Sequence, residues 1–397
     1  MKEVFADLHV HIGRCENGKP IKITAARSLN FANIARECAD RKGIQIVGII
    51  DCASPYVIED IEKFLKNGDA YEIEDGGIIY KDKVCILLGS EVETSEKGRN
   101  GKCGAAHNVC FFPHLSDIKG FSSEMCKHIK NITLSTQRSD ISGYELIDIV
   151  EKYNGILIPA HAFTPFKSYY GNCTDRIKDI FKEKFDKIFA VELGLSSDTY
   201  LADMISELET KTFVTNSDAH SLPKIAREYN KMLVDGISFK EVVKALKNED
   251  GRKIVCNYGL DPKLGKYHRT FCDNCNSVIE TKEPVSICPK CGSDKVTFGV
   301  FDRIELIKDK KESTSPKNRP EYIYQVPLTF VPGVGSKTID KLLETFETEM
   351  NILHKISKDD IESVVGEKTA STIIKAREGN INIQSGGGGN YGKLTAS

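Results

Sequence analysis

Short apolar runs alternate with amphipathic segments across about the first 250 residues of the chain. Gln45–Ile50, Val84–Leu88, Ile156–Pro159, Ile188–Val191 and Thr212–Thr215 read as strands, and Asn33–Lys42, Ser142–Tyr153, Tyr200–Leu208 and Phe239–Lys247 carry apolar residues at helical spacing. Strands alternating with helices over this length predict a parallel sheet closed as a barrel. Barrels of this kind gather their chemistry at the C-terminal ends of the strands.

The residues at those ends carry chemistry. Asp7, His9 and His11 alternate after the first apolar stretch, a period of two that sends the three side chains off one face. Asp51 follows Val47–Ile50, Glu91 follows Ile86–Ser90, and His161 follows Leu157–Ala160. Glu192 follows Phe189–Val191, while Asp218 and His220 follow Val214–Ser217. His107 differs in opening its run, Asn108–Phe112. Each residue singly is explained as a strand cap or a satisfied core polar group. Together they place five of the nine histidines, with the carboxylates, at equivalent positions. That recurrence predicts a multinuclear site for two or three divalent metals, and mixed imidazole and carboxylate ligation suits Zn, Mn or Fe better than Mg alone. Such a cluster lowers the pKa of a bound water and bridges phosphate oxygens, so phosphoester hydrolysis is the natural chemistry.

Just after His161, Phe163, Phe166, Lys167, Tyr169 and Tyr170 put rings and a cation in one loop. The loop either stacks a flipped base and contacts its phosphate or packs its own aromatics on the barrel rim. Lys224 and Arg227, after His220, are candidate phosphate contacts.

Beyond residue 250 the pattern changes. Cys272-x2-Cys275 and Cys288-x2-Cys291, twelve residues apart, have the spacing of a closed four-thiolate zinc site with a folding role. A charged, Ser- and Pro-containing stretch, residues 311–325, reads as a linker from the ribbon module (251–310) to a last module (326–397). There an internal repeat appears at an offset of 31 residues: Val334-Gly335-Ser336-Lys337-Thr338 matches Val365-Gly366-Glu367-Lys368-Thr369. Each copy is a glycine turn opening a helix, whose free N–H groups suit a phosphate, with Lys337 and Lys368 alongside. Ser336 between Gly335 and Lys337 excludes a Walker A loop. The tail, Gly386–Lys393, is flexible by composition.

Composition narrows the class further. At 397 residues, with 40% hydrophobic and 28% charged residues, the chain is ordinary for a soluble protein of two or three domains. The N-terminus lacks the apolar core of a signal peptide and no run approaches a membrane span, so a cytoplasmic location without membrane contact is expected. Without a secretion signal, the nine cysteines outside the spaced four read as reduced core residues. The net charge of −2 divides into −5 over residues 1–250 and +3 over 251–397, a weak tilt compatible with a C-terminal half that meets nucleic acid.

Asp7-Leu8-His9-Val10-His11, Gly89-Ser90-Glu91, Ala160-His161 and Ser217-Asp218-Ala219-His220, in this order, resemble the PHP (polymerase and histidinol phosphatase) superfamily. The resemblance implies an α/β fold: a distorted TIM-like (βα)7 barrel, followed here by a zinc ribbon and a small α-helical tandem helix-hairpin-helix domain. It implies that His9, His11, Glu91, His107, His161, Asp218 and His220 are metal ligands. Many superfamily members carry Asp-His after the second strand where this chain has Asp51-Cys52. Either Cys52 ligates as a thiolate or the third metal position is weak or empty.

The module order, with Arg227-Glu228-Tyr229-Asn230 and the Val331-Pro332-Gly333-Val334-Gly335 hairpin, resembles the endonuclease Q family over essentially the whole chain. That family nicks damaged double- or single-stranded DNA 5′ to deaminated bases (uracil, hypoxanthine, xanthine) and abasic sites. The resemblance implies base flipping and hydrolysis by a metal-bound hydroxide, with His9, His11, Glu91, Asp218 and Arg227 catalytic. It also implies duplex grip by Gly333, Gly335, Lys337, Gly366 and Lys368, and a replication sliding clamp as a partner. Two other readings stand beside it: a phosphatase or phosphodiesterase acting on small substrates or nucleic-acid ends, and a DNA-binding scaffold without activity.

Overall fold

The computed structural model describes residues 1–97, 103–379, 382–384, 386 and 388–395. Its strands are β1 (Lys2–Val10), β2 (Ile46–Ile49), β3 (Ala70–Glu72), β4 (Ile78–Tyr80), β5 (Val84–Lys97), β6 (Cys103–Phe112), β7 (Ile156–Pro159), β8 (Ala190–Glu192), β9 (Thr212–Val214), β10 (Tyr229–Val234) and β11 (Lys253–Gly259). The helices among them are α1 (Phe31–Glu37), α2 (Pro55–Lys66), α3 (Leu115–Met125), α4 (Gly143–Lys152), α5 (Ile177–Phe181), α6 (Thr199–Ala202) and α7 (Phe239–Lys247). Ser142 starts α4 with a reciprocal capping box to Glu145. The helix expected over Tyr200–Leu208 is broken into α6 and a 3-10 turn, Ser206–Thr210.

β1 pairs in parallel with β2, and β2 with β5. β5 pairs antiparallel with β6, and β6 with β7. The N–H of Ala162, just past β7, reaches the carbonyl of Glu192 on β8. β8 pairs with β9, and the bridge from Val10 to Ala219 closes the ring onto β1. The barrel therefore forms, but it is not wholly parallel. Because β6 runs against its neighbours, the residue that opens its apolar run stands at the same barrel end as the residues that close the others. This is the physical reason for the exceptional position of His107.

Alternate residues of the strands enter two apolar clusters. Leu8, Ile46, Leu87, Phe111, Ile158 and Val214 join one. Val47, Ile86, Phe112 and Leu157 pack in the other with Ile61 of α2, Phe121 of α3 and Leu146 of α4. β10 extends the sheet antiparallel to β1, and β11 follows β10. The sheet thus runs past the boundary expected at residue 250.

A separate three-stranded sheet of β12 (Phe271–Cys272), β13 (Ser277–Val278) and β14 (Val296–Thr297) forms the ribbon. α8 (Val300–Ile307) returns to the barrel, where Arg303 donates to the Tyr170 carbonyl. Residues expected in the linker are also structured: β15 (Glu321–Tyr324) pairs in parallel with β11. The C-terminal helices are α9 (Ser336–Phe346), α10 (Glu349–His354), α11 (Lys358–Val365) and α12 (Glu367–Arg377). They sit against the barrel through a buried ion pair, Lys42 Nζ to Glu349 Oε1 at 2.7 Å, and through His354 stacked on Phe5. β16 (Asn382–Gln384) pairs antiparallel with β17 (Lys393–Thr395). The tail, expected to be flexible, is a docked turn in its described residues. No helix among the described residues is long and apolar enough to cross a membrane.

Candidate active site and metal centre

Two groups of potential ligands meet at the barrel end: His9, His11 and Asp218, and Glu91, His107 and His161. Within each group the ligand atoms lie within 4.8 Å of one another. Glu91 links the groups. Its Oε1 is 3.0 Å from His107 Nδ1, 3.4 Å from His161 Nε2 and 3.6 Å from His9 Nε2, and its Oε2 is 3.6 Å from His11 Nε2. Asp218 Oδ1 lies 3.6 Å from His9 Nε2 and 3.4 Å from His11 Nε2. His220 stands at the edge, its Nδ1 3.0 Å from the Asp218 carbonyl and its ring 4.6 Å from that of His11.

The donor set fits divalent cations. His9 Nε2 and both ring nitrogens of His107 are buried beside carboxylates at 3.0–3.6 Å yet make no aligned hydrogen bond to them, the arrangement of groups that a metal would engage. The electrostatics point the same way. Burial by itself lowers the His9 pKa, but Glu192 at Nδ1, with Asp218 and Glu91 near Nε2, lifts it to about 10. Burial likewise opposes ionisation of Glu91 and Asp218. His107 and Lys22 nonetheless hold Glu91 well below the carboxylate range, and His11 and His9 do so for Asp218. The cavity is built for positive charge.

Three carboxylates expected as ligands stand behind the cluster instead. Glu192 Oε2 pairs with His9 Nδ1 at 2.9 Å, and Asp51 Oδ2 with His11 Nδ1 at 3.1 Å. Each leaves its histidine's Nε2 turned to the cleft, the usual duty of a carboxylate behind a ligating imidazole. Asp7 accepts the N–H groups of Ser217 at 3.0 Å and Ala226 at 2.9 Å, tying the loop that carries Asp218 and His220 to β1. Arg227, expected to be catalytic or to bind phosphate, is buried and donates from Nε to the Ser217 carbonyl at 2.7 Å. It positions the Asp218 loop. Asp218 and His161 both have positive φ, 45° and 30°, and Gly194 packs on His161 where a Cβ would lie 2.8 Å from the imidazole's own Cβ. Strain of this kind is held where a site over-determines the backbone.

Several neighbours carry no clear sign in the sequence. Lys22 Nζ lies 3.5 Å from Glu91 Oε2, and the Thr136 hydroxyl donates to the same oxygen at 2.6 Å. Both come from loops without periodicity. Glu93, 3.5 Å from His107 Nε2, was legible: it follows Glu91 at a period of two on β5. Cys52, a candidate thiolate ligand, turns away and donates to the Ile49 carbonyl at 3.1 Å, and burial pushes its thiol well up.

The ribbon brings its four cysteines together, with Sγ separations of 3.6 Å for Cys272–Cys291 and 3.7 Å for Cys275–Cys288, too long for disulfides. The backbone N–H of Ser293 and the Asn274 amide favour the thiolate at Cys291, the form that binds zinc. In the helical module, α10 and α11 are capped by the side chains of Thr348 and Ser357. α9 and α12, 31 residues apart, start at Gly335 and Gly366 with no side-chain cap. A Cβ at Gly333, Gly335 or Gly366 would meet nothing within 4 Å, and Lys337 and Lys368 are exposed beside them. The two helix starts expected to grip phosphate are the ones left open.

The chain matches no protein-family model. It is 46% identical over 396 residues to the uncharacterized protein YqxK of Bacillus subtilis (strain 168), covering 99% of this chain and 100% of that one. Its fold is similar to the crystal structure of the lesion-specific endonuclease PfuEndoQ from Pyrococcus furiosus, with a TM-score of 0.83, 32% identity, and coverage of 99% of this chain and 95% of that chain. The chain belongs to the endonuclease Q family. A second endonuclease Q structure, in complex with a 27-mer duplex carrying an abasic lesion at the active site, matches with a TM-score of 0.84, 31% identity, and coverage of 100% and 97%.

In this endonuclease Q chain the aromatic loop after His161 divides. Phe163, Tyr169 and Tyr170 are buried, and Phe163 stacks on Tyr170 with centroids 4.9 Å apart. They pack the rim and are closed to a base. Phe166 is 53% exposed, and with Lys167 it lines a cavity of about 230 Å³ beside His161, Asp218 and Glu192. Lys167 pairs with Glu93. Lys224 is exposed in the 3-10 turn Leu222–Lys224, outside both ligand groups.

Proposed function

We propose that this chain is a metal-dependent DNA repair endonuclease that hydrolyses the phosphodiester 5′ to a deaminated base or an abasic site after the damaged nucleotide has left the duplex. The observation that carries the reading is the convergence of two ligand groups on one carboxylate, Glu91, beside a cavity of about 230 Å³ that is far too small for a duplex. The ribbon and the two uncapped helix starts add what a small-molecule phosphatase does not need, a means of holding a backbone.

His9, His11 and Asp218 would hold one metal, and Glu91, His107 and His161 a second. Lys22 and Thr136 on the outer oxygen of Glu91, and the inward turn of Cys52, favour two ions over three. When bound, such ions activate a water and offset the charge that builds on the phosphate and the leaving oxygen. The four cysteines would hold a structural zinc. Glu192 and Asp51 fix the ring orientation of His9 and His11, and Arg227 holds the Asp218 loop at its strained φ. Phe166 and Lys167 present a ring and a cation to the extruded nucleotide. Damaged bases are cheaper to unstack, which supplies part of the selectivity.

The test separates cleavage from binding. D218N and H9A are expected to lose nicking of a lesion duplex while keeping duplex affinity within about threefold. Cleavage surviving in either variant would contradict the metal assignment.

A further inference from the structure

The glycine-rich tail is built as a close-packed turn. Gly386, Gly389 and Gly392 donate their N–H groups to the carbonyls of Lys263, Lys266 and Leu264 at 2.7, 3.2 and 3.0 Å. Gly388 has φ 59°, and a Cβ there would come 2.3 Å from the Phe271 ring. At Gly386, where a Cβ would lie 2.5 Å from the Gly392 nitrogen, and at Gly388, glycine allows an approach that a side chain would forbid.

The turn delivers Tyr391 to the wall of the cavity beside His161 and Asp218. Its hydroxyl accepts from Arg227 Nη1 at 3.0 Å, the same guanidinium that holds the Asp218 loop. The ring lies 4.6 Å from the Lys266 ammonium, and Tyr267 and Phe166 complete an aromatic rim. A half-buried ring, fixed at its hydroxyl and flanked by cations, is suited to take the π-face of a base and unsuited to reading a hydrogen-bond pattern.

We propose that Tyr391 is a specificity residue whose ring stacks on the extruded nucleobase, so that the enzyme holds base-bearing lesions through a contact that an abasic site cannot make. This rests on the endonuclease reading above.

The test compares full-length wild type, Y391A and Y391F on duplexes carrying one uracil, one hypoxanthine or one abasic site, with metal content measured for each protein. For Y391A, kcat/KM is expected to fall about tenfold or more on uracil and hypoxanthine and less than about threefold on the abasic duplex. Y391F keeps the ring and is expected to keep the wild-type ratio of base-bearing to abasic cleavage. Equal loss on all three duplexes, no loss on any, or a gain on all from removal of a plug would overturn the proposal. Wild type that nicks none of the duplexes would overturn the endonuclease reading itself, an outcome distinct from an unchanged ratio.

Discussion

Glu228 is the residue whose surroundings agree least with its charge. It is fully buried, Oε1 accepts the Leu260 N–H at 2.8 Å, and Oε2 has no partner. Burial raises its pKa to about 8. A carboxyl whose folded pKa lies above its unfolded value contributes stability that is complete below the unfolded pKa, near 4.5, and is lost as pH rises through about 8. E228Q is therefore expected to match wild type near pH 4 and to exceed it by about 4 kcal/mol at pH 8.5, read from denaturant unfolding at both pH values. A constant gap would contradict the assignment. Glu192, which supports His9 without facing both ligand groups, leads to a different expectation: E192Q lowers metal affinity about 10- to 100-fold and leaves the lesion preference unchanged. Isothermal titration of the metal-free protein checks the first part and nicking at saturating metal the second.

At the scale of elements, the uncapped starts of α9 and α12 predict backbone grip without sequence reading. K337A and K368A should each weaken duplex binding about equally for every sequence and reduce the salt dependence of log K by about one phosphate contact, measured by fluorescence anisotropy across a salt series. A sequence-dependent loss would argue for base contact. These helix starts were legible because Gly335 and Gly366 recur with the lysines at a fixed offset. The strand ends carrying His9, His11, Glu91, His161 and Asp218 were legible because alternation and run ends show directly in sequence. Their supporting carboxylates were not distinguishable from ligands. Asp7, Asp51 and Glu192 have the same residue type at the same strand ends, and only the third dimension puts them on Nδ1 or on backbone N–H groups. Lys22, Thr136 and Tyr391 reach the site from loops or from the far end of the chain, where no period exists to point at them. The tail misled for a physical reason: the glycines that make a linker flexible also permit the tightest packing.

Over the whole molecule, the barrel and the helical module are joined by Lys42 and Glu349, a contact 307 residues apart in sequence, with Lys42 only 1% exposed. Lys42 Nζ also donates to the Pro223 carbonyl at 3.0 Å, close to the loop that carries His220. Removing one partner of such a pair strands the other charge, so E349A should cost about 3–5 kcal/mol, and K42M/E349L together much less. Calorimetry should show one transition moving down for E349A. A second transition, with the barrel unmoved, would mean that the module folds independently. This union packs the helical module on the barrel, while Tyr391 from the tail beyond it reaches the cavity beside His161 and Asp218.

The most direct measurement maps the cut on an end-labelled duplex carrying a single uracil, with Mg, Mn or Zn supplied and with a chelator as control. One metal-dependent nick immediately 5′ to the uracil is expected, abolished by the chelator and absent from the undamaged duplex. A cut that persists in chelator, or one that falls equally on undamaged DNA, would contradict that expectation.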